Sequence, residues 1–214
     1  GIGSETNSGA VAYKSPSFDL MGISASFGVD YDPAAGGAGN DHDAVAAKTA
    51  TMGSGMGAVV KLTHDSGLTL GAGIEEISSN SGKMTADDIV NTTAYALYTM
   101  GPVSVGYQGY YLNYGPSPKA NAATGIADYS GDAFGIAFNV NDQVSIGYQK
   151  VSEDKEAYTS TPGVTRDIKS LSAAYSSGGM TMSIQQTDTD NYSMAAAGSE
   201  LDVEAVQVTL SFAF

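Results

Sequence analysis

The chain has 214 residues, no cysteine, 27 glycines, and 23 acidic against 9 basic residues, for a net charge of −14. These numbers exclude disulfides, thiolate catalysis and cysteine-type zinc sites, and they argue against nucleic acid as a partner, because phosphate contacts need Lys and Arg. An apolar fraction of 42% is too high for disorder, yet no run approaches the ~20 apolar residues of a spanning helix.

Period-two patterning predicts eleven strands, over residues 8–15, 21–31, 54–64, 68–78, 91–100, 103–113, 129–140, 143–152, 167–176, 180–189 and 201–214. Most match the ~9–11 residues of a tilted membrane strand and exceed the ~5–6 of soluble sheets. A turn is expected around Pro16 to Leu20. Further tight turns fall at Asp65-Ser66-Gly67, Gly101-Pro102, Asn141-Asp142 and Ser177-Gly178-Gly179. Long polar connections occupy residues 32–53, 79–90, 114–128, 153–166 and 190–200. One helical turn is expected within residues 84–91. Short and long connections alternate, which is the plan of an antiparallel outer-membrane barrel, with residues 1–214 forming a single barrel domain.

Side chains alternate between the two faces of a strand. Ile23, Ala25, Phe27, Val29 and Tyr31 share one face, and Ser24, Ser26, Gly28 and Asp30 the other. The same division recurs in the sixth, seventh, eighth and tenth segments. At the C-terminus Val208, Leu210, Phe212 and Phe214 alternate with Thr209, Ser211 and Ala213. A dry core wants large residues on both faces, so small and polar residues on the second face predict water there. Strand phase assigns Ser24, Ser26, Asp30, Lys61, Thr69, Glu75, Ser104, Gln108, Ser145, Gln149, Ser183 and Gln185 to that wet wall. Lys61 and Glu75 are expected to oppose one another. Tyr107, Tyr148, Tyr175, Phe212 and Phe214 suit aromatic girdles at the membrane boundaries.

If the short turns are periplasmic, the first and last strands both run toward the periplasm. An open edge in hydrocarbon strands backbone groups at several kcal/mol each, so at least one further strand is expected upstream.

Tyr13-Lys14-Ser15-Pro16-Ser17-Phe18, followed by Gly22-Ile23-Ser24-Ala25-Ser26-Phe27-Gly28, resembles the general porins of Gram-negative bacteria, in particular the alphaproteobacterial, Rhodobacter-type group. The terminal Phe212-Ala213-Phe214 resembles the family's end, which the barrel-assembly machinery reads. The resemblance implies a sixteen-stranded barrel of which these are the last eleven strands. The constriction loop then lies upstream. It also implies a homotrimer in the outer membrane, in contact with lipid and lipopolysaccharide. The implied function is passive diffusion of small hydrophilic solutes and ions, with no enzymatic chemistry and no cofactor. The acidic balance, with Arg166 the sole arginine at a loop–strand junction and Lys14, Lys61, Lys150 and Lys169 the strand lysines, predicts weak cation preference.

Asp30, Asp32, Asp41 and Asp43 gather oxygen ligands that could take calcium, but their spacing matches no calcium loop, and a solvated acidic loop is the simpler reading. His42 and His64 stand apart, so no nucleophile–histidine–acid set can be assembled. Gly53-Ser54-Gly55-Met56-Gly57 lacks the lysine of a phosphate loop. Two other readings remain open: a structural or adhesive barrel without a channel, and a soluble β-sandwich binding module.

Overall fold

The computed structural model describes residues 10–33, 52–79, 88–113, 126–157, 163–196 and 198–212. All its regular elements are strands: β1 (Val11–Lys14), β2 (Phe18–Leu20), β3 (Ile23–Asp32), β4 (Met52–His64), β5 (Leu68–Ser79), β6 (Ile89–Met100), β7 (Val103–Asn113), β8 (Ile126–Asn139), β9 (Val144–Ala157), β10 (Val164–Ser177), β11 (Met180–Asp190) and β12 (Val203–Phe212). They form one antiparallel sheet in which β3 to β12 pair in chain order.

β1 and β2 both pair with β3, at Tyr31–Gly28 and at Ala25–Ile23. They are two halves of one strand, so the twelve segments trace eleven strand paths. The turn expected around Pro16 to Leu20 is displaced. Pro16 has no N–H to give a neighbour. Ser15 bridges the break: its amide donates to the Phe27 carbonyl (2.8 Å), and its hydroxyl accepts from the Phe27 amide (2.9 Å). The hairpin itself turns at Met21 and Gly22, whose φ values of 52° and 79° are those of a type I′ turn. Gly178 and Gly179 (57° and 81°) join β10 to β11 in the same way. At the β8–β9 turn the Asn141 side chain accepts from the amides of Gln143 (2.8 Å) and Val144 (2.9 Å).

Boundaries at the long-loop ends differ from expectation. β9 runs to Ala157 and β10 begins at Val164, so charged residues that read as loop belong to paired strand. The helical turn expected over 84–91 falls partly outside the described residues, and Ile89 to Asn91 are strand.

Among the described residues no second layer covers this sheet. Among the described residues, the single buried apolar side chain is Met194 (6% exposed), while Val60, Ile136, Ile146, Ile184 and Leu210 are each about half exposed on one face. A β-sandwich buries an inner face of both sheets in a shared core. Among the described residues there is no such core, so the sheet does not have the packing of a sandwich.

Candidate pore-lining face

Register fixes which side chains share a face, because directly paired residues point the same way. Ser26 pairs with Lys61, Lys61 with Gly71, and Gly71 with Tyr95. Tyr95 pairs with Gln108, and the row continues through Ala133 and Val151 to Ile168, Thr189 and Val203. Parity then puts Ser24, Ser26, Asp30, Lys61, Thr69, Glu75, Ser104, Gln108, Ser145, Gln149, Ser183 and Gln185 all on one face. The apolar row Phe27, Val60, Ala72, Ala94 lies on the other.

Cross-strand bonds tile the polar face. Gln108 donates to Thr93 Oγ1 (2.9 Å) and Asn91 to Glu75 Oε2 (3.3 Å). Hydroxyl pairs join Thr99 to Ser104 (3.0 Å), Ser170 to Thr187 (3.0 Å) and Ser176 to Thr181 (2.9 Å). The face is not uniformly polar, since Val59, Leu97, Val151 and Ile168 also lie on it. Lys61 and Glu75 do not oppose each other: Lys61 is opposite Gly71, and Glu75 is opposite Gly57.

Glycine partners keep the large side chains of this face low. Tyr95 lies over Gly71, where an added Cβ would collide with its ring. Asp30 lies over Gly57 in the same manner. A Cβ at Gly131 would meet the Tyr110 ring and hydroxyl at 2.6 Å. A glycine opposite a bulky residue lets that residue fold down along the sheet instead of standing perpendicular to it.

Sequence reading missed one charged group of this face. Arg166 lies within β10, not at its junction, and its Nη2 donates to both carboxylate oxygens of Glu153 (3.2 Å each). The Tyr110 hydroxyl donates to Glu153 Oε2 (2.7 Å). Lys155, which falls within the long connection expected over residues 153–166, is a β9 residue on the same face. The available signal was parity: Glu153 and Lys155 keep the phase of Ser145 and Gln149.

Tyr107, Tyr148, Tyr175 and Phe212 all lie on the opposite, apolar face. Tyr175 and Phe212 sit near the short turns and Tyr107 and Tyr148 farther along their strands. Phe214 lies outside the described residues. Asp30 and Asp32 are on the polar face, with Asp32 fully buried. Asp41 and Asp43 lie outside the described residues. Among the described residues no group of three or more His, Cys, Asp or Glu side chains could hold a metal ion. His64 serves the β4–β5 turn, bonding through Nδ1 to the Ser66 hydroxyl (2.8 Å).

No protein-family model and no curated protein matches the chain. Among solved structures it is similar to an anion-selective porin from Comamonas acidovorans, with a TM-score of 0.67 and 17% identity over 96% of this chain and 59% of that one. It is also similar to a porin refined at 1.8 Å resolution, with a TM-score of 0.58 and 17% identity over 96% of this chain and 61% of that one. The chain thus spans about three-fifths of the length of both porins. The described strands have the fold of a porin barrel wall.

Proposed function

We propose that this chain forms the C-terminal part of an outer-membrane porin of Gram-negative bacteria, through which small hydrophilic solutes and ions diffuse passively. The observation that carries this reading is the single-layer sheet: one face is a continuous exposed apolar band and the other is polar. Monomeric soluble proteins rarely expose contiguous apolar patches beyond a few hundred Å². Hydrocarbon removes that cost, and water in the lumen solvates the polar wall. The twelve residues from Ser24 to Gln185 are the lining, and the outward aromatics anchor the wall at the interfaces. The reading includes a homotrimer, contact with lipopolysaccharide, assembly by the barrel machinery, and membership of the Rhodobacter-type group. The wall binds and orients nothing for covalent chemistry and needs no cofactor.

Among the described lining residues, Asp19, Asp30, Asp32, Glu75 and Glu153 outnumber Lys14, Lys61, Lys155 and Arg166. That margin supports a weak cation preference. Reconstitution of the intact protein into planar bilayers tests both points. We expect stepwise conductance and, under a KCl gradient, a reversal potential of the sign set by K⁺. A sealed bilayer would favour the structural or adhesive barrel, and a Cl⁻-directed potential would defeat the cation preference alone.

A further inference from the structure

β11 and β12 are neighbours in the sheet, and antiparallel neighbours can be joined by a two-residue turn. The connection between them instead takes residues 191–202 and reaches sideways. The Tyr192 carbonyl accepts from Arg166 Nη1 (3.4 Å), and the Met194 carbonyl accepts from Lys155 Nζ. Arg166 is on β10 and Lys155 on β9, the first and second strands beyond β11, on the side away from β12. At about 4.8 Å per strand, β9 lies about 10 Å from β11, and the loop comes within reach of a lysine side chain of β9. Both cations belong to the polar face, so the loop lies on that face.

The loop is built to hold this course. Asn191 and Met194 adopt left-handed φ values of 53° and 49°. The Asn191 amide group donates to the carbonyls of Thr165 (3.2 Å) and Ala195 (3.1 Å), and its oxygen accepts from the Ala195 amide (2.9 Å). Asp202 closes the base by accepting from the Asn191 amide (3.0 Å), and the Tyr192 amide donates to the Leu201 carbonyl (2.7 Å). Met194, the one buried apolar side chain among the described residues, is on this loop. Behind the anchor, Glu153 holds Arg166 and Tyr110 holds Glu153.

We propose that residues 191–196 form a fixed shelf that limits solute size at the long-loop mouth, with Lys155 and Arg166 as its anchors. The proposal rests on the porin reading and adds a size-determining element to the wall. Each anchor gives one donor to a backbone carbonyl of the shelf, and Arg166 also gives Nη2 to the Glu153 carboxylate, so the shelf is tied to charged groups of the wall itself.

Residues 1–214 contain no cysteine, so a single thiol placed here is a clean reporter once any cysteine elsewhere in the intact protein has been replaced by serine. Met194→Cys is made in the intact protein and treated with a thiol reagent that does not cross membranes. Labelling is expected to be slow, and to rise at least about tenfold when Lys155→Met and Arg166→Gln are added, since two charge-assisted anchors are lost. Lys155→Arg keeps a donor and should stay slow. Lys155→Met by itself preserves the Arg166–Glu153 pair, so it keeps the test valid if the double change prevents folding. In planar bilayers the released variants should conduct more per channel and admit larger polyethylene glycols than the parent. Unchanged labelling overturns the anchoring, and raised labelling with unchanged conductance and size cutoff overturns the size-limiting role. If the parent itself does not conduct, the porin reading fails and takes the shelf's role with it. A conducting parent with an unaltered variant sinks the shelf alone.

Discussion

Tyr95 shows how one side chain decides the width of a one-layer wall. Its ring rests on Gly71, the residue directly across the β5–β6 pair. Gly71→Ala puts a methyl group where the ring lies, so the ring must lift off the sheet. On the porin reading it swings into water-filled space, and single-channel conductance falls. Adding Tyr95→Ala to Gly71→Ala should restore conductance, which a general folding defect could not do. Gly67 makes the opposite kind of demand. Its φ is +92°, and an added Cβ would strike the Thr99 carbonyl across the neighbouring turn. The Thr99 amide also donates to the Gly67 carbonyl (3.0 Å), which ties the β4–β5 turn to the end of β6. Backbone strain of this type costs on the order of 1–3 kcal/mol. Gly67→Ala should therefore lower the urea midpoint of the folded protein in vesicles while leaving the conductance of surviving channels unchanged. A change in conductance would mean that the turn also shapes the lumen.

Element by element, the outer face is not one even band. On β3 the outward run Ile23 to Tyr31 is apolar throughout, about 26 Å of strand at ~3.3 Å per residue. On β9 it stops at Tyr148, and Lys150, Ser152 and Asp154 follow in the same phase. β10 repeats this, with Leu171, Ala173 and Tyr175 near the short turn and Thr165, Asp167 and Lys169 beyond. The outward charges pair across strands, Lys150 with Asp167 (3.8 Å) and Lys169 with Asp190 (3.2 Å). These exposed pairs add little stability, but on the porin reading they mark where the wall leaves hydrocarbon. Arginine substitution should read that step directly. Ile146→Arg should cost about 2–4 kcal/mol, and Ser152→Arg about 0–1, by urea titration in vesicles. Equal costs would place Ser152 in lipid and remove the step. The same step explains what sequence reading could and could not reach. Strand phase from Val144 to Gln149 was visible because apolar and polar residues alternate there. Past Tyr148 the outward phase turns polar too, with Lys150, Ser152 and Asp154, so the alternation is lost and Glu153 to Glu156 read as loop. What makes them strand is their partners, Arg166 opposite Glu153 and Thr165 opposite Asp154, and partners appear only once the register is known. The break at Pro16 was equally visible, whereas the Ser15 hydroxyl that carries the ladder past it was not.

For the whole molecule, the polar face is legible because it needs no tertiary information: polar and small residues recur at every second position along most of each strand, with apolar exceptions such as Val59 and Leu97. The shelf over β9 and β10 was not legible, because its anchors lie 26 and 39 positions away from the carbonyls they hold. The two lateral edges follow from the same one-layer geometry. Among the described residues β12 pairs with β11 only, and β1 and β2 pair with β3 only. Water hydrates such edges, but hydrocarbon does not, and each unsatisfied backbone group there costs several kcal/mol. An edge strand of this length therefore requires a lateral partner inside a membrane, from the opposite edge or from further strands such as the longer porins possess. The consequence is measurable on β12, which is exposed on both faces. Along a strand paired on one side, alternate amides point at the partner and away from it. In the intact protein in bilayers, both sets of amides between Glu204 and Leu210 should exchange with deuterium equally slowly. Rapid exchange at every second position would show an edge open to water, and the wall would then not close inside lipid.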